Sequence, residues 1–179
     1  MRTSFLAAVI AAGLISSAAI AQSLGEKTGV NPLLGITPKT EDFIKEAAIN
    51  DMLEIAAAKI AQEKGNADEK KFAEQMITDH EKTSSELKQL VPPGFKSALP
   101  TSLDGDSQKD LNKLRDAKAE DFANDYDQMQ VDAHQEAVLL FERYARGGDD
   151  PRLKDLAGKT LPELQHHLQM AQQLEKSHK

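Results

Sequence analysis

Apolar residues in this chain recur three and four positions apart over four long stretches, and nowhere do they alternate with period two over the length of a strand. Spacing of three and four lines one face of an α-helix, so the pattern commits the chain to helices. Glycine and proline clusters divide the stretches. The first runs from Thr40 to about Lys64 through Phe43, Ile44, Ala47, Ala48, Met52, Ile55, Ala56 and Ile60, capped by Thr40 or Asp42, with Gly65-Asn66 as a left-handed stop. Asp68 caps the second, whose stripe is Phe72, Ala73, Met76, Ile77, Leu87 and Leu90, and Pro92-Pro93-Gly94 ends it. Ser107 with Asp110 resembles a capping box for a short helical piece around Leu111 and Leu114. The third long helix spans about Glu120 to Arg146, with Phe122, Tyr126, Met129, Ala133, Ala137, Val138, Phe141 and Tyr144 on one face and Gly147-Gly148 as its stop. The fourth follows Asp149 or Asp150 and Pro151 and carries Leu153, Leu156, Leu161, Leu164, Leu168, Ala171 and Leu174. Pro162 should kink it or split it near Thr160, and residues 172–179 should fray.

The short turn at residues 65–66 and the one at 147–150 each force an antiparallel hairpin, and residues 91–106, rich in proline and glycine, are long enough to cross from end to end. The expected fold class is therefore all-α, a ferritin-like four-helix bundle of two antiparallel hairpins joined by a long crossover. Its domain covers residues 40–176, preceded by an irregular N-terminal arm at 22–39. Residues 1–21 read as a secretory signal peptide: Arg2, an apolar run from Phe5 to Ile15, and Ala19-Ile20-Ala21 before a cut between Ala21 and Gln22. That reading places the protein in the periplasm or outside the cell, with no transmembrane segment after cleavage.

Composition narrows the function classes. The chain has no Cys, which removes disulfide scaffolds, thiolate metal sites, iron–sulfur clusters and thiol catalysis. A formal net charge of −7 repels phosphate backbones, so no nucleic-acid partner is expected. An envelope protein or a second copy of the chain remains open as a partner.

The informative positions are ionisable residues inside the apolar stripes. His80 follows Phe72 and Met76 by fours, His134 precedes Ala137, Val138 and Phe141 by three, four and seven, and His167 follows Leu164 by three. His80 and His134 each lie roughly 20 Å from their hairpin turns at about 1.5 Å per residue. With both turns at one end of the bundle, the three imidazoles approach a common layer, and Glu54 is the first-helix residue at that depth, one turn beyond Asn50 and Asp51. Glu54, His80, His134 and His167 could thus hold one divalent transition metal, iron, zinc, copper or manganese, with Asp79 as an outer orienting residue. The alternative is a non-metal cell-envelope interaction or stress-response bundle, in which the same residues form a structural polar core that fixes helix register. No catalytic residues are assigned: Ser84-Ser85 beside His80 comes with no readable oxyanion hole, and an enzyme is not the expected reading.

Phe43-Ile44-Lys45-Glu46-Ala47-Ala48 with Glu54, Phe72-Ala73-Glu74-Gln75-Met76 with Asp79-His80, Phe122 and Tyr126 with His134 and Phe141, and Thr160-Leu161-Pro162 with His167-Leu168 and Ala171 together resemble the bacterial domain-of-unknown-function 4142 family over about residues 40–175. The resemblance implies a ferritin-like bundle exported from the bacterial cytoplasm, often labelled an outer-membrane protein, and implies no established activity. The chain lacks the amphipathic strands a barrel would need. Di-iron bundles place Glu-x-x-His on two helices, but here Ile77 and Val131 stand three before His80 and His134, and the Glu-x-x-His from Glu163 to His166 faces the polar flank. Oxygen-activating di-iron chemistry is therefore not carried over from the fold.

Overall fold

The computed structural model describes residues 30–178. The leader at 1–21 and residues 22–29 of the N-terminal arm lie outside them. The described chain is all helical, with no strand among the described residues. A single turn of helix, α1 (Val30–Leu33), sits within the expected arm, followed by α2 (Thr40–Lys64), α3 (Ala67–Leu90), a 3-10 turn at Pro93–Ala98, α4 (Gly105–Asp116), α5 (Ala119–Gly147) and α6 (Pro151–Ser177). Among the described residues no helix is long and apolar enough to cross a membrane.

Local chemistry explains the boundaries, and several differ from expectation. Asn66, not Asp68, caps α3: its side chain accepts the Asp68 and Glu69 amides while Glu69 reaches back to the Asn66 amide, a reciprocal capping box. Asp68 loses the role because its own amide is one of the donors being capped. Gly65 is no left-handed stop, since its φ is −71°. A side chain there would put Cβ 2.6 Å from the Ala61 carbonyl oxygen and 3.0 Å from Glu69 Cβ, so the glycine is needed for a close approach. Neither Thr40 nor Asp42 caps α2, because both already lie in its first turn. Thr40 instead bonds the Tyr144 hydroxyl at 2.6 Å and Asp149. Asp104 caps α4 by accepting the Ser107 amide, which places Ser107 inside the helix rather than at its cap. Of the two candidates, Asp149 and Asp150, it is Asp150 that caps α6, with Pro151 at the first helical position. That helix runs unbroken past Pro162 to Ser177, through the segment expected to fray. Pro162 is exposed, so the Gly158 carbonyl it leaves unbonded faces the solvent side, where water can satisfy it.

α2 packs along α3, α5 along α6, and the two pairs meet through α2 against α5 and α3 against α6. The hairpin turns lie at opposite ends, not at one. Phe43, Ala47, Leu87, Phe141, Tyr144, Leu153 and Leu164 share one apolar cluster with the α5–α6 turn. Ala57, Ala61, Phe72, Met76, Leu114, Phe122, Tyr126 and Leu174 share another with the α2–α3 turn. The reason is topological: a segment that returns the chain along the full length of the helices makes α3 and α5 parallel, and parallel helices carry their hairpin turns at opposite ends. The depth estimate survives because both histidines lie near mid-helix, where distance from either end is similar.

Candidate metal centre

Between the two apolar clusters every long helix contributes a polar residue. On α2 it is Asp51 and Glu54, on α3 His80, on α5 Gln130 and His134, and on α6 His167, all buried. The ring centroids of the three histidines form a near-equilateral triangle, 5.7 Å from His80 to His134, 5.7 Å from His80 to His167 and 5.5 Å from His134 to His167. One potential ligand nitrogen from each ring lies within 4.8 Å of the others.

Each ring is held by its other nitrogen. His134 Nδ1 lies 2.8 Å from the Gln130 carbonyl oxygen, which can only accept, so Nδ1 carries a proton. His167 Nε2 donates to Asp79 Oδ2 at 2.9 Å, and His80 Nδ1 meets Asp51 Oδ1 at 2.9 Å. The remaining nitrogens, His80 Nε2, His134 Nε2 and His167 Nδ1, are buried and have no hydrogen-bond partner. Anchoring one imidazole nitrogen on a carboxylate or carbonyl while leaving the other free is the outer-sphere arrangement that orients histidine ligands.

Electrostatics point the same way. Burial holds His80 down at about 4, against the pull of Glu54, so its ring is neutral at pH 7. Burial, with the neighbouring His134 and His80, also brings His167 to about 4. Burial pushes Asp51 well above the usual carboxylate range. Asp79 is also pushed up by burial, but hydrogen bonds from Gln75 and His167 outweigh this and hold it below its ordinary value. It also shares a hydrogen bond with Glu163, whose carboxyl is raised by burial and by Asp79 itself. A chain of polar groups thus runs from the half-buried Glu163 through Asp79 to His167.

Glu54 stands slightly apart from the place the sequence suggests. Its carboxylate is wholly buried and both oxygens lack a hydrogen-bond partner, yet Oε1 is 3.8 Å from His134 Nδ1, the anchored nitrogen of that ring. Only the three histidines form the tight group, and Glu54 flanks it. Asp79 lies behind His167, with its Oδ2 on the ring's Nε2 at 2.9 Å. Asp51 and the Gln130 carbonyl are the anchors sequence reasoning missed. Asp51 lies one turn before Glu54 on α2 and could have been found by that spacing; a backbone carbonyl leaves no sequence signal.

The model of a domain of unknown function, DUF4142, matches residues 25–174. The chain belongs to the DUF4142 family. No curated protein and no solved structure matches it. The DUF4142 match covers α2, α3 and α5 whole and α6 as far as residue 174, with every member of the histidine cluster.

Proposed function

We propose that the protein binds one divalent first-row transition metal through His80, His134 and His167, inside a ferritin-like four-helix bundle exported to the cell envelope. The carrying observation is a group of three buried histidines with ligand nitrogens within 4.8 Å of one another, each ring keeping one buried nitrogen without a partner. Each buried polar atom left unpaired costs about 1–3 kcal/mol. A cation bound by the three nitrogens removes that penalty. Neutral imidazoles suit zinc, copper and iron, and Glu54 beside the cluster offers the negative charge and a fourth ligand or hydrogen-bond acceptor.

The runner-up reading, an envelope interaction bundle with a structural polar core, draws on the arm that leads into α2. Leu33 is 88% exposed and Leu34 69%, and Arg143 pins this segment to α5 by donating to the Ile36 carbonyl at 2.7 Å. Apolar side chains held in solvent on a tethered strap suit contact with another surface.

His134→Leu separates the two readings. The metal reading expects untagged protein purified without chelator to retain a metal at the imidazole cluster, and the variant to fold but lose that metal. A wild-type chain that retains no metal after incubation with zinc, iron, manganese or copper, together with a variant of equal or greater thermal stability, would make the cluster a structural polar core.

A further inference from the structure

A second group of ligating side chains closes at the end of the molecule where α2 hands over to α3. Glu69 lies in the first turn of α3, Asp127 on α5 and His178 just past α6, and one ligand atom from each lies within 4.8 Å of the others. Glu69 and Asp127 are each only 1% exposed. Two carboxylates buried this close cannot both stay ionised unless positive charge faces them.

Each carboxylate has one oxygen engaged and one without a partner. Glu69 Oε2 accepts the Asn66 amide at 2.5 Å, and Asp127 Oδ2 pairs with His178 Nδ1 at 2.5 Å. Glu69 Oε1 and Asp127 Oδ1 are buried with no hydrogen-bond partner. The wholly buried Tyr126 hydroxyl likewise has none. His178 is the exposed member, which gives the group an opening to solvent.

We propose that Glu69, Asp127 and His178 form a second divalent-cation site, built from two carboxylate oxygens and one imidazole nitrogen. The dication balances both carboxylates and takes the two unpartnered oxygens as ligands. With His178 Nδ1 on the cation, the ring proton sits on Nε2, and the exposed ring exchanges its contact with Asn66 for water. Carboxylate-rich sites of this kind suit manganese, iron or zinc more than copper. Asp127, Gln130 and His134 follow one another by three and four on one face of α5, so the second site lies about 10 Å along the helix from the imidazole cluster. It does not depend on metal binding there.

Zinc binding measured by equilibrium dialysis and mass spectrometry tests the site in a His80→Ala/His134→Ala background, which disables the imidazole cluster. That variant should bind one zinc per chain. Adding His178→Ala, an exposed change that leaves the helices intact, should weaken it by at least the roughly 10–100-fold that loss of an outer partner costs, and Asp127→Asn should abolish it. No zinc bound by the background variant at millimolar zinc, or affinity unchanged by His178→Ala, overturns the proposal. Should the background variant fail to fold, His178→Ala in the otherwise unaltered chain must lower total zinc by one equivalent. An unchanged total then overturns the proposal, whatever the imidazole cluster does.

Discussion

His80 and His167 show how burial prepares a side chain for a task. A histidine in water takes up a proton near pH 6.5, but these two do so only at about 4. Because the folded value lies below the unfolded one, the unfolded chain binds more protons between these limits. The stability tied to neutral rings is therefore full above about pH 6.5, falls as pH drops toward about 4, and is gone below it. Asp51, facing His80 from α2 with its value raised, opposes part of this loss, while Glu54 and Asp79 act on the same rings. Urea melts of metal-free protein should give lower stability at pH 5 than at pH 7, and His80→Phe should flatten the difference. A profile that is flat in the parent chain would contradict the assignment of neutral, buried rings. The placement of these histidines was legible in the sequence because an ionisable residue at helical spacing within an apolar stripe has only one face to occupy. Glu54 shows the limit: α2 is apolar or buried nearly all round, so spacing put the residue inside but did not fix which side of His134 its carboxylate would reach.

Helix ends were harder to read than helix faces. Asn66 and Asp68 both qualify as caps by residue type, and only the reciprocal bonds between Asn66 and Glu69 decide between them. The same holds at Asp104 against Ser107, three residues apart and both able to cap. A cap at Asp149 or Asp150 was legible because Pro151 behind it admits the first helical position and little else. Replacing Asp150 with Ala removes acceptors for the Arg152 and Leu153 amides and should cost about 1 kcal/mol, seen as a fall in Tm of about 2–4 °C. Metal content should not change, since the cap lies at the far end of α6 from His167. A loss of metal in this variant would mean that the cluster is less rigidly held than its anchors indicate.

Among the described residues the core is two apolar clusters separated by a polar layer, and that division is expensive in the absence of a compensating ligand. Binding a ligand to the folded chain alone adds about 2.7 kcal/mol at a hundredfold excess over Kd. Zinc at that excess should therefore raise Tm by about 5–10 °C, and chelator should reverse the gain. A Tm that ignores both would leave the layer with a purely structural role. The helical class and the places of the long helices were legible from the apolar spacing and the glycine and proline breaks, but the ends at which the two short turns lie follow from α3 and α5 running parallel, which helix periodicity does not encode. The most direct test of the central claim is anomalous diffraction at the absorption edge of the metal the protein retains. The account predicts a peak enclosed by His80 Nε2, His134 Nε2 and His167 Nδ1, at the roughly 2.0–2.1 Å that nitrogen ligands keep from zinc. Crystals of metal-soaked protein with ordered histidines and no peak between them would contradict it.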